Sequence, residues 1–209
     1  MRRTPRVLLV ATFAALTAFS LSACAPAGDA GDASTGSASP SATSAPVAEV
    51  AETFLERHDL AGMDATAVID TLEALPVAER PADLMASVRP DELVLMDADK
   101  NQTSLPMPDD KFYVSVAPYA AQTHDCFFHS LTTCMGELSN EPLEVTVVGD
   151  DGAEILSGSF ATNDNGFVGL WLPRDISGTI TIVAGERTVT APIATGADDP
   201  TCVTTLQLS

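Results

Sequence analysis

From Leu143 to Leu208 the chain alternates short apolar runs with turn residues, and this rhythm limits the architectures open to it. The runs are Leu143–Val148, Glu154–Phe160, Phe167–Leu172, Thr179–Val183, Arg187–Ala191 and Cys202–Leu208. Gly149-Asp150-Asp151-Gly152, Asn163-Asp164-Asn165-Gly166 and Ala184-Gly185-Glu186 stand between them. Such turns suit chain reversals, and strands this short and this closely spaced suit an antiparallel sandwich. Lys111–Ala117 adds an earlier strand, with Phe112, Val114 and Val116 on one face and Tyr113 and Ser115 on the other. In the last run Cys202, Thr204, Leu206 and Leu208 share a face, so Cys202 is expected to point inward or to lie at a buried rim.

Ahead of Pro106-Met107-Pro108 the periodicity changes. Val50–Leu60 has helical spacing and ends at Gly62. Asp64 can cap a second helix through Leu75, which Pro76 stops. Pro81 can start a third, short helix through Val88, and Leu93–Met96 reads as a strand. The predicted fold class is α+β, a small helical N-terminal region followed by an antiparallel β-sandwich-like C-terminal domain. The expected boundaries are a mainly helical domain over 49–105 and a β-rich domain over 106–209. The helical part is marginal as an independent unit, so its apolar faces are expected to pack on the second domain or on a copy of the chain. His58, on the first helix with no sulfur nearby in sequence, reads as a surface histidine.

Residues 1–23 read as an export signal, with Arg2, Arg3 and Arg6 ahead of an apolar core from Val7 to Leu21. Leu21-Ser22-Ala23-Cys24 resembles a bacterial lipoprotein processing site, which implies lipidation of Cys24 and a membrane anchor. Residues 24–48 are rich in Ala, Ser, Gly, Thr and Pro and read as a flexible tether. The net charge is −19, and all three arginines of the leader precede Cys24, so the remainder is more acidic still. This balance argues against a nucleic-acid partner and against adsorption to anionic lipid through basic patches.

The chemistry is concentrated in His124-Asp125-Cys126-Phe127-Phe128-His129-Ser130-Leu131-Thr132-Thr133-Cys134. The chain has 4 Cys and 3 His, and this run holds two of each. Thiol beside imidazole is the ligand set of a thiophilic metal such as Cu(I) or Zn(II). With Cys24 assigned to lipid, three thiols remain, so one intramolecular bridge leaves one cysteine over. The bridges Cys126–Cys134, Cys126–Cys202 and Cys134–Cys202 are all open on sequence. A three-thiolate site uses all three cysteines, and Cu(I) accepts such low coordination. His124 would join Cys126 on an extended backbone and His129 would do so on a helical turn, each as ligand or as a base supporting the thiolates. Met107 and Met135 are candidate accessory thioethers. Zinc fits by ligand type but lacks the tight cysteine pair of most structural sites. A blue-copper loop would leave Cys134 without a role.

The run HDCFFHSLTTC, followed by Met135-Gly136-Glu137-Leu138 and completed by the distant Cys202, resembles the signature of the CueP family of copper-binding envelope proteins. The resemblance implies that Cys126, Cys134 and Cys202 are copper-binding thiols, with the histidines next in line. It also implies a role in copper tolerance or in delivery to exported cuproenzymes such as superoxide dismutase, reduction of Cu(II) to Cu(I), and a homodimer formed through the N-terminal region. Two thiolates becoming a disulfide supply two electrons while the third thiol holds metal. Without a reductant this is a single turnover, so the chain is not expected to be an enzyme. The lipid anchor and tether depart from the family pattern and would limit transfer to partners at the same membrane, facing the periplasm or cell-wall space. Two other classes compete with this reading: a thiol–disulfide redox protein using Cys126 and Cys134, and a non-metal surface β-sandwich with a structural disulfide.

Overall fold

The structure is a computed structural model and describes residues 45–209, with side chains from Ala51 onward. The export signal, the lipidation site at Cys24 and the tether up to residue 44 lie outside the described residues.

The first helix, α1 (Ala45–Arg57), starts earlier than its apolar spacing suggests. Pro46 is compatible with this because the first-turn N–H groups have no partner inside a helix. Asp59 takes the left-handed conformation at φ 58°, and Leu60 N–H donates to Leu55 O at 2.9 Å, so the helix closes before Gly62. Asp64 caps α2 (Ala65–Glu73), its carboxylate accepting from Ala67 N–H at 2.9 Å. Pro81–Val88, expected to be a third helix, is instead a turn leading into strand β1 (Leu84–Val88), and a 3-10 turn at Val77–Glu79 precedes it. In β1, Leu84, Ala86 and Val88 are buried while Met85 is exposed. That period of two fits a half-covered strand, and a five-residue run is too short for Pro81 to hold as a helix.

β1 pairs antiparallel with β2 (Glu92–Asp97), and β2 with β3 (Gln102–Pro106), an edge strand too polar to stand out in the sequence. The helices pack on this sheet: Phe54, Leu55, Leu60, Val68, Ile69 and Leu72 share one core with Leu84, Ala86, Val88, Leu93 and Leu95. From Phe54 onward, the buried apolar residues of the two helices are therefore covered by the chain's own sheet.

The second core is the sandwich. One sheet is ordered β10–β4–β7 and the other β6–β5–β8–β9. The strands are β4 (Lys111–Val116), β5 (Pro142–Gly149), β6 (Glu154–Ala161), β7 (Val168–Pro173), β8 (Ser177–Ala184), β9 (Arg187–Ala194) and β10 (Cys202–Val203). The α+β class, with helices first and antiparallel sheets after, is the observed one. The pair β10–β4 is parallel, and β10 is only two residues long. Beyond it Tyr119 N–H donates to Leu206 O and Leu208 N–H to Tyr119 O, which continues the pairing loosely. Cys202, Thr204, Leu206 and Leu208 are all buried, as their shared face requires.

β4 matters most for the site because both of its faces are covered. Phe112, Val114 and Val116 enter the sandwich core, while Tyr113 enters the helical core beside Met107 and Leu131. The segments that leave the ends of β4 and β7 therefore run along the seam between the two cores.

Candidate metal centre

The cysteine–histidine run lies in the long connection between β4 and β5, and backbone contacts pin it at several points. Glu137 Oε2 accepts from the N–H groups of Ala120, Ala121 and Gln122 at 2.7, 2.9 and 3.3 Å. Those donors hold its carboxyl below the ordinary range. Thr204 Oγ1 donates to His124 O at 2.6 Å, and Cys202 N–H to Phe127 O at 3.1 Å. Val88 N–H donates to His129 O at 2.8 Å and Leu131 N–H to Ala86 O at 2.9 Å, so residues 129–131 bridge to β1. Thr201 Oγ1 accepts from His129 N–H at 3.0 Å and donates to Val88 O at 2.7 Å. A turn then brings Cys134 back, with Ser130 N–H 3.3 Å from Cys134 Sγ. Gly136 N–H finally docks on Asn165 O at 2.6 Å.

These contacts gather all three predicted thiols. Cys126 and Cys202 form a disulfide with Cα atoms 5.6 Å apart, and Cys134 is a free thiol. Cys134 Sγ is 3.6 Å from Cys126 Sγ. A small apolar cluster of Ala117, Phe167 and Cys202 backs the sulfurs. Both predicted histidines reach the sulfurs, in two overlapping groups. Donor atoms of His124, Cys126 and Cys134 lie within 4.8 Å of one another, and so do those of His129, Cys134 and Cys202. The two histidines differ in setting: His124 is exposed, while His129 is fully buried with its ring 4.7 Å from that of Phe167.

His129 Nε2 lies 2.8 Å from Glu73 Oε2, and Asn165 Nδ2 donates to Glu73 Oε1 at 3.0 Å. His129 Nδ1 is buried with no hydrogen-bond partner among the described residues. Burial disfavours the imidazolium, but the neighbouring Cys134 thiol and the Glu73 carboxylate outweigh it and push the pKa up to about 9. Cys134 is close enough to couple to the ring although no hydrogen bond of ordinary geometry reaches Nδ1 among the described residues. Burial likewise works to raise the Cys134 pKa, yet His129 and the Ser130 N–H bring it below the usual thiol value. A buried, unpartnered imidazole nitrogen beside an ionisable thiol is a donor set suited to a soft cation.

Met135 is exposed next to Cys134, and Met107 is a core residue of the helical region. His58 is half-buried against Phe54 and belongs to neither donor group among the described residues. Sequence reasoning missed Glu73, Asn165, Thr201 and Arg80, whose Nη1 donates to Cys134 O at 3.0 Å. Glu73 does leave a trace in the sequence. The buried stripe of α2 is Ala65, Val68, Ile69, Leu72 and Glu73, so a carboxylate occupies a core position. It also sits in the last helical turn, where the helix dipole disfavours negative charge and no basic residue is present. Asn165 is hidden in sequence because its turn has the composition of any tight reversal.

Fold and cluster together define an α+β protein with a thiol-and-imidazole centre of metal-binding composition, held at the seam between a helix-covered sheet and a sandwich. The family model for the periplasmic copper-binding protein CueP matches residues 67–207. A crystal structure of S.CueP is 39% identical, with a TM-score of 0.72, covering 76% of this chain and 97% of that one. No curated protein matches significantly. The chain belongs to the CueP family, whose members are periplasmic copper-binding proteins.

Proposed function

We propose that this protein holds Cu(I) through the reduced thiolates of Cys126, Cys134 and Cys202, with His129 and His124 as nitrogen donors from opposite sides. The observation that carries this reading is the convergence of three sulfurs from positions far apart in sequence, two of them, Cys134 and Cys202, beside a buried imidazole whose Nδ1 has no hydrogen-bond partner among the described residues. A structural bridge explains Cys126 and Cys202 and leaves Cys134 and that nitrogen without a purpose. Ligand softness favours Cu(I) over harder cations.

The protein also reduces Cu(II), on this reading. Two thiols give up two electrons and two protons as the disulfide forms, and two Cu(II) ions become Cu(I). The Cys126–Cys202 bridge with Cys134 left free has the arrangement such a turnover would leave. Each further turnover needs an external thiol reductant. The protein is exported and lipid-anchored through Cys24, acts in copper tolerance or in delivery to an exported cuproenzyme, and pairs with a second copy through its N-terminal region. These last assignments rest on the leader sequence and on family resemblance.

The test is an anaerobic Cu(I) titration of the fully reduced protein against a competing chelator, with thiols counted in parallel. One copper should bind tightly and protect three thiols together, and Cys126→Ser and Cys202→Ser should lose that affinity. Unchanged affinity in both variants would refute the reading. A second reading, thiol–disulfide exchange, is favoured by one contact, the 3.6 Å between Cys134 Sγ and Cys126 Sγ. It requires a mixed disulfide with a partner thiol to form through Cys134, and no such adduct under mild oxidant would exclude it.

A further inference from the structure

We propose that Glu73 is a positioning residue for copper: together with Asn165 it fixes His129 with the Nε2 proton toward α2, which leaves Nδ1, on the side of Cys134 and Cys202, as the atom that gives up its proton to bind metal. The inference rests on the copper reading and deepens it, because it assigns the histidine its ligating atom. It also brings into the centre a residue from the helical region, far in sequence from the cysteine motif.

Glu73 is 4% exposed, and each of its oxygens has one buried partner: Oε2 faces His129 Nε2 at 2.8 Å and Oε1 faces Asn165 Nδ2 at 3.0 Å. Asn165 cannot reverse its amide freely, because its Oδ1 already accepts from Phe167 N–H at 3.1 Å. It therefore presents NH2 to Glu73, and Glu73 must accept on that side. On its other side Glu73, as a carboxylate, accepts again, and the donor at hydrogen-bond distance is His129 Nε2–H; the buried Tyr113 hydroxyl is nearby but makes no hydrogen bond of ordinary geometry. At neutral pH the metal-free ring, with a pKa of about 9, carries a proton on each nitrogen; Glu73 holds the one on Nε2, so the proton released when a metal binds is the one on Nδ1, the buried atom with no hydrogen-bond partner among the described residues. Metal-ligating histidines are commonly oriented in this way by a carboxylate on the far nitrogen.

The same count gives a test that a merely structural role would not satisfy. Glu73→Gln keeps the shape but offers one acceptor and one NH2. With Asn165 pinned, one of the two contacts becomes donor against donor. Relief comes by turning the glutamine NH2 toward His129, which takes the proton from Nε2, keeps the one on Nδ1 and closes that atom to metal. The double variant Glu73→Gln with Asn165→Asp exchanges amide and carboxylate. The carboxylate now at position 165 can accept from both Phe167 N–H and the glutamine NH2, which returns the glutamine oxygen to His129.

The experiment is Cu(I) titration of the reduced protein against a competing chelator, for wild type, Glu73→Gln and the double variant, with melting temperatures in parallel. It is joined to imidazole 15N NMR of the Cu(I)-loaded wild type. Glu73→Gln should weaken Cu(I) binding about 10–100-fold while the melting temperature stays close to wild type, and the double variant should recover most of the affinity. In the loaded wild type the Nδ1 resonance should move and Nε2 should keep its proton. Unchanged affinity in Glu73→Gln, or no recovery in the double variant, would overturn the assignment and leave the copper reading standing. A Cu(I)-shifted Nε2 in wild type would overturn it even if both variants fail to fold. Absence of tight Cu(I) binding by wild type would instead sink the copper reading, and this inference with it.

Discussion

Replacing Gly136 by alanine should loosen the centre without touching any donor atom. Gly136 and Gly166 lie backbone to backbone. A Cβ on Gly136 would stand 2.6 Å from Gly166 O and 3.1 Å from Ala117 Cβ. The neighbouring main chain must retreat by about 0.8 Å to reach ordinary contact. That chain cannot yield cheaply, because Gly136 N–H is bonded to Asn165 O at 2.6 Å and Gly166 already holds φ at 78°. Overpacking of this kind costs about 1–3 kcal/mol, and weakening one buried hydrogen bond adds about 1 kcal/mol. A loss of about 3 kcal/mol in a unit of this size lowers the melting temperature by roughly 6–12 °C. Thermal unfolding of the disulfide-intact protein, followed by far-UV circular dichroism, measures it directly. Because Asn165 supports Glu73 and Cys134 lies two residues away, the Cys134 alkylation rate should change in the same variant. A melting temperature within about 2 °C of wild type would show that the glycine pair is not the close contact described.

Two further outcomes follow from the electrostatics. With its pKa below the usual thiol value, Cys134 should react with iodoacetamide at neutral pH faster than an unperturbed thiol, and His129→Ala should slow it; equal rates in the two proteins would refute the coupling. The Glu137 carboxyl titrates lower in the folded chain than in the unfolded one, so its contribution is present above the unfolded carboxylate range and is lost as pH falls through the lowered folded value. Urea midpoints measured from pH 6 down to pH 3 should therefore fall less steeply in Glu137→Gln than in wild type, and parallel curves would show that the three N–H donors do not hold the charge.

The sandwich was legible because β5, β7 and β8 carry strict alternation between glycine-rich turns, and a period of two has no helical reading. β1 was not, since Leu84–Val88 is short enough to fit either period and a proline upstream favoured a helix start. β3 was invisible because an edge strand with one neighbour needs little apolar surface. The thiols and both histidines stood out by residue type alone. Their different settings did not, because burial of His129 depends on α2 arriving from the other core. Glu73 was the one missed residue with a readable signature, a carboxylate on an otherwise apolar helical stripe. Asn165 and Thr201 had none, since their importance lies in which backbone groups the fold brings opposite them.

The bridge between Cys126 and Cys202 spans 76 residues, from the β4–β5 connection to the last strand. In the chain-entropy picture a closure of that length restrains the unfolded chain by about 4.5 kcal/mol. If copper is held as proposed, the clasp must first open, and a metal bound by all three sulfurs would close it again by another chemistry. The reduced, empty chain is then the weakest of the three forms and the one proteases would find most readily. On the proposed function, lifetime would thus track copper supply and thiol oxidation.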